Sequence, residues 1–118
     1  MRDNYAAKPT HMILQGRLAI PLPSPESIHW YLTSLPTSLR MSAISSPCVI
    51  DTPDSLDGIV IIAEYHISVH VVKASQVLFA DVFSCKVYDH RLVYNELVAQ
   101  FQFVSPPSYR MITRFVPT

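Results

Sequence analysis

One seven-residue run holds most of the chemically capable side chains of this chain: Glu64-Tyr65-His66-Ile67-Ser68-Val69-His70. A carboxylate and a phenol are followed by two imidazoles and a hydroxyl at alternate positions. Alternation is the period of a β-strand, so His66, Ser68 and His70 share one face while Ile67 and Val69 share the other. A second run, Asp81-Val82-Phe83-Ser84-Cys85, adds a carboxylate and a thiol. Such a set can move protons or support a nucleophile. Two imidazoles could also begin a metal site, but zinc wants three or four ligands. Cys85 and Asp81 would complete one only if the sheet pairing cooperated.

The elements that position these groups read from punctuation and period. His11 to Ile20 is a first strand, stopped by Pro21-Leu22-Pro23. Ser24-Pro25-Glu26 signals a helix start, with a capping hydroxyl, a proline suited to the first turn and an acid at the positive end of the dipole. Ile28, Tyr31, Leu32 and Leu35 lie on one face of that helix, and Pro36 ends or kinks it. Met41 to Ile50 is a second strand, and Asp51 to Gly58 a loop. Ile59 to Ala63 is apolar on both faces and reads as central. His66 to Val72 and Val77 to Val87 follow, joined by a turn at 73–76. Asp89 caps a second helix whose apolar stripe is Leu92, Val93 and Leu97 with Phe101, and Tyr109 to Val116 is the last strand. Short links between the middle strands make them antiparallel. The fold class is α+β: a two-layer sandwich of a mostly antiparallel sheet with two helices on one face. Residues 1–10 are a loose arm before a single domain, 11–118.

Composition narrows the function classes. Nine basic residues balance nine acidic ones, so no charge footprint suggests nucleic acid or an anionic membrane. Charged residues are only 15 % and apolar ones 49 %, which favours self-association. Two cysteines do not make a disulfide framework, and no apolar leader is evident; a cytoplasmic setting with free thiols is expected. Cys48 reads as core, Trp30 and Tyr31 as helix-face packing, and Lys73 as solvated in its turn.

From residue 11 onward the chain resembles the S-adenosylmethionine decarboxylases, the small prokaryotic pyruvoyl-dependent type. The resemblance rests on Glu64 to His70, on Asp81 to Cys85, on the spacing between them, and on Gly58-Ile59-Val60-Ile61-Ile62-Ala63 leading into the first run. It implies an enzyme of polyamine (spermidine) biosynthesis, a metal-free site and pairing of two chains with sites near the interface. It also implies that His70 assists self-processing and that Cys85 donates a proton. Four departures fall at that site. Tyr65 stands where the family has the serine that becomes the pyruvoyl group. Asp57 stands where a processing hydroxyl is usual. Val71-Val72-Lys73-Ala74 replaces a Thr-aromatic-Pro-Glu run, and no aromatic is evident around Ile50-Asp51-Thr52.

Pyruvoyl formation needs oxygen on Cβ, first to attack the preceding carbonyl and then to leave. A tyrosine carries its oxygen at the far end of a rigid ring, so no cofactor is expected. Without the ketone the substrate amine finds no electron sink. Ser68 sits three residues late in mid-strand and is a poor substitute. Tyr65 is then either a plug or a hydroxyl for a ligand, and Glu64 either a strand-end cap or part of the site. Glu64, His66, Ser68 and Asp57 are the expected ligand-binding set. The leading expectation is an unprocessed pseudoenzyme of this family, binding S-adenosylmethionine or a related small molecule, or regulating an active relative. A homodimer is implied, and a heterodimer with that relative is the other arrangement. The alternatives are a lyase-type enzyme acting on S-adenosylmethionine without a pyruvoyl group, and a decarboxylase precursor trapped by substitution.

Overall fold

The structure is a computed structural model and describes residues 9–114. Seven strands and two helices follow in the order β1 (Thr10–Arg17), α1 (Pro25–Ser38), β2 (Ser42–Ala43), β3 (Cys48–Asp51), β4 (Ser55–Ala63), β5 (Tyr65–Val72), β6 (Val77–Ser84), α2 (His90–Gln100) and β7 (Ser108–Thr113). Every strand pairing is antiparallel. The sheet runs β2-β4-β5-β6-β1-β7, with β3 beside β2 along the same edge of β4. The α+β sandwich read from the sequence is the observed architecture. Among the described residues no helix is long and apolar enough to cross a membrane.

Both helix starts follow their caps. Ser24 Oγ accepts from Ser27 N–H at 3.2 Å, and Asp89 Oδ1 accepts from Arg91 N–H at 2.9 Å. Pro36 does not end α1. It lies inside the last turn, where its missing N–H removes one bond and the helix runs on to Ser38.

Alternation sorts each strand into two faces. Met12, Leu14, Val60, Ile62, Ile67, Val69, Val71, Leu78, Ala80 and Val82 point inward and are buried. They pack with Ile28, Tyr31, Leu32 and Leu35 of α1 and with Val93 and Leu97 of α2. Gly58 belongs to this face. A Cβ there would lie 2.7 Å from both Ile28 Cγ2 and Leu32 Cδ1, so α1 rests directly on the β4 backbone beside Asp57.

Several expectations need correction. The Met41–Ile50 strand is two short strands, interrupted around Pro47, which has no N–H to give a ladder. The Asp51–Gly58 loop ends early: β4 starts at Ser55, so Asp57 is a strand residue. β4 is bonded on both sides but β5 and β6 are the middle of the sheet; Ile59 and Ile61 are exposed on its outer face. Trp30 points away from the core and is 60 % exposed, while Tyr31 is buried. The strand from Val77 stops at Ser84 rather than Val87. Thr10 already belongs to β1; residues 1–8 of the expected arm and the end of the last expected strand lie outside the described residues.

Candidate functional site

The outer face of the sheet is organised in rows that cross the strands. One row runs Ile50–Asp57–His70–Phe79–Gln15–Ser108. The next runs Cys48–Ile59–Ser68–Asp81–Ile13–Arg110, and a third runs Ile61–His66–Phe83–His11–Ile112. Directly opposed residues in a sheet are near neighbours, so these rows fix which groups can meet. A pocket of about 290 Å³ opens here, lined by Cys48, Ile50, Asp57, Ile59, His66, Ser68, His70 and Asp81.

Asp57 and His70 form the first pair, with Oδ1 and Nδ1 2.9 Å apart. An ionised carboxylate can only accept, so His70 Nδ1–H is the donor in this pair. Ser55 Oγ donates to the other Asp57 oxygen at 2.8 Å. Partial burial pushes the Asp57 carboxyl up, but the hydrogen bonds from His70 and Ser55 and the imidazole charge outweigh it, and it sits below the ordinary carboxylate value.

Asp81 anchors the second group. Ser68 Oγ donates to its Oδ2 at 3.0 Å. His11 Nε2 lies 3.4 Å from its Oδ1, an ion-pair contact without hydrogen-bond geometry, and that nitrogen is buried without another partner. Ser68 is therefore committed to a carboxylate in mid-strand.

The third group lies at the other end of β5. Cys85 Sγ–H donates to Glu64 Oε1 at 2.7 Å. That bond, then burial and the carboxylate's charge, push the Cys85 thiol up, so it is protonated at neutral pH. Tyr65 stacks on Phe83 with centroids 4.6 Å apart and planes 13° from parallel, and it is 42 % exposed. Its φ is 95°, a region that costs a side-chain-bearing residue about 1–3 kcal/mol. Phe83 links the groups, since His66 meets it edge-on and His11 lies against its other side.

The predicted site residues thus share one face but not one cluster. Asp57 joins His70, Ser68 joins Asp81, and Glu64 joins Cys85; Cys85 does not contact His70. His66 and His70 are four strand positions apart, about 13 Å. Among the described residues no three His, Cys, Asp or Glu side chains gather as a metal set. Cys48 is not core: it is exposed on the pocket rim, because it alternates with inward Val49. Lys73 is not simply solvated. Its Nζ donates to Asp51 and to the Thr52 carbonyl, tying the turn after β5 to the end of β3. His11 and Phe83 are the residues that sequence reasoning left out. Their signal was parity: each is an odd-numbered position in a strand whose even positions are aliphatic or small.

The family model for S-adenosylmethionine decarboxylase matches residues 17–113. The chain belongs to the S-adenosylmethionine decarboxylase family. Among solved structures it is similar to the adenosylmethionine decarboxylase from Aquifex aeolicus, with a TM-score of 0.73 over 94 % of this chain and 93 % of that one. The two are 20 % identical, so this likeness speaks to the fold. No curated protein matches the chain in sequence.

Proposed function

We propose that this chain is an uncleaved member of its family that binds a small molecule, S-adenosylmethionine or a relative of it, on the outer sheet face instead of decarboxylating it. Tyr65 carries the reading. Its Cβ bears a ring, not an oxygen, and that ring lies flat on Phe83 with the phenol oxygen at its far end. The residues present do not fit a pyruvoyl group. Other departures point the same way. Asp57, in place of a hydroxyl, is engaged by His70 and Ser55. Where relatives present aromatic and acidic groups after the second histidine, Lys73 is drawn to Asp51.

What remains is a pocket lined by polar Asp57, Asp81, His66 and His70 interleaved with apolar Ile50 and Ile59. Such a pocket can hold a ligand that combines a cation with an apolar body. The chain pairs with a second copy, or regulates an active relative by pairing with it in the cytoplasm. The exposed Ile50, Ile59, Ile61 and Phe79 of the open face support that pairing.

Intact mass and titration calorimetry test the proposal together. One unbroken chain that binds S-adenosylmethionine and releases no CO₂ is the expected result. Two fragments meeting between residues 64 and 68 would overturn it. A lyase reading draws on the other end of β5, where Glu64 holds the Cys85 thiol protonated beside Tyr65. Release of methylthioadenosine without fragmentation would select that reading.

A further inference from the structure

The outer face carries a second pocket, on the side of the sheet away from β4. It has a volume of about 360 Å³ and is lined by Ile13, Gln15, Ser108, Tyr109 and Arg110. Its chemistry is the reverse of the first. Among the described residues, the pocket around Asp57 and Asp81 is lined by two carboxylates and by neither Lys nor Arg. The second is lined by a guanidinium, an amide and a hydroxyl, and by no carboxylate. Arg110 and Gln15 are exposed, and among the described residues Arg110 enters no ion pair. A planar fork of N–H donors, with amide and hydroxyl donors near it and no acid of its own, suits a carboxylate.

Register joins the two pockets. Asp81 on β6 is opposite Ile13 on β1, and Ile13 is opposite Arg110 on β7. Strands lie about 4.8 Å apart, so the backbones of Asp81 and Arg110 stand about 10 Å apart along one row, with half-buried Ile13 between them. Asp81 lines the first pocket, and Ile13 and Arg110 line the second. Ser68 and His11 already face Asp81, but a carboxylate has about four acceptor sites and can still meet a ligand's positive charge.

We propose that Arg110 holds the carboxylate of a ligand whose cationic centre lies beside Asp81, so that this face selects sulfonium amino acids that keep their carboxylate over the same molecules without it. The inference rests on the small-molecule reading above and adds to it which state of the ligand is bound. The size fits. In S-adenosylmethionine four bonds separate the sulfonium from the carboxyl carbon, about 5 Å when extended. A contact of about 4 Å to Asp81 and one of about 2.8 Å from the guanidinium carry that length across the row. Ile13 offers hydrocarbon to the methylene groups between the charges. Loss of CO₂ removes the ligand's only negative charge and leaves an ammonium group facing a guanidinium, a like-charge contact. In a decarboxylase, a guanidinium on the departing carboxylate would stabilise the ground state and oppose the step. A chain that only binds is free of that constraint.

Titration calorimetry of the full chain at low salt, with S-adenosylmethionine and with its decarboxylated form, reads the outcome. The wild type should bind the carboxylate form about tenfold tighter or more. Arg110→Gln should weaken S-adenosylmethionine by a like factor and leave the decarboxylated form no weaker, which erases the preference. Arg110→Lys keeps the charge without the fork and should fall between. Arg17→Gln removes an exposed cation that does not line the second pocket, and the preference should survive it. Equal wild-type affinity for the two ligands, a loss at Arg110→Gln shared by both, or the same loss from Arg17→Gln would each overturn the inference. S-adenosylmethionine bound as tightly by Arg110→Gln as by the wild type would sink this inference alone and leave the small-molecule reading standing. A wild type that binds neither ligand would sink that reading and this inference with it.

Discussion

Ile67 and Ser68 are neighbours on β5, and both are nearly inaccessible, yet they are enclosed by different things. Ile67 is shut in by hydrocarbon from the inner core. Ser68 is shut in by a carboxylate and the walls of a pocket. The same contrast repeats along β4 and β6, between Val60 and Asp57 and between Ala80 and Asp81. The inner face holds the fold together, and the outer face is left to polar pairs that contribute little to stability. A period of two lets one strand do both, so chemistry on the outer face can drift while the sandwich persists. Tyr65 and Asp57 lie on the outer face of a chain that belongs to the S-adenosylmethionine decarboxylase family and whose fold matches a solved adenosylmethionine decarboxylase.

The contrast can be broken most forcefully on adjacent residues. Ile67→Ala should lose about 2–5 kcal/mol, since it opens a cavity in a packed core. Ser68→Ala should lose only about 1 kcal/mol, the net worth of one hydrogen bond. Chemical denaturation of the two variants measures both, and equal losses would erase the distinction between the faces.

A smaller effect sharpens the difference between the two ends of the outer face. Glu64→Ala removes the acceptor that keeps the Cys85 thiol protonated. Alkylation of Cys85 by iodoacetamide near pH 8 should then speed up several-fold, about as a modest fall in thiol pKa allows. Peptide mass mapping separates that signal from Cys48, and an unchanged Cys85 rate would mean that the Glu64 bond does not govern it.

The smallest effect concerns Asp57. Its carboxyl sits below the ordinary value when folded. The sign follows: it adds stability above the unfolded carboxylate value near pH 4, and that contribution disappears as pH falls through the lower folded value. Because the pair is well exposed, its worth is under about 1 kcal/mol. Asp57→Asn should lower stability at pH 7 by that amount, under about 1 kcal/mol, and flatten the acid limb of a stability–pH curve below about pH 4, where the two proteins converge. A wild-type curve matching the variant's throughout would show that the pair is idle.

Much of this was legible in the sequence, for identifiable reasons. The shared face of His66, Ser68 and His70 followed from alternation alone. Both helix starts followed from Ser24-Pro25 and Asp89. What the chain concealed was long-range partnership. Asp57 stands in a run of aspartates with a threonine, a proline and a serine that looks like a loop, and only pairing with β5 makes it a strand residue. Cys48 looks like core until β3 is set against β4 and its side chain emerges on the pocket rim. Lys73 looks free until the fold brings Asp51 to it. The bond between Cys85 and Glu64 spans residues on either side of a hairpin, and no local pattern announces it.

Gly58 has an evolutionary consequence. With no side chain between them, helix α1 and the backbone that carries Asp57 are in direct touch. Bulk gained at Ile28 or Leu32 cannot be absorbed by a yielding neighbour and must displace the strand. Residues that never see a ligand are thereby held accountable to the opposite side of the sheet, and the helix can wander in sequence only as far as the aspartate's position allows.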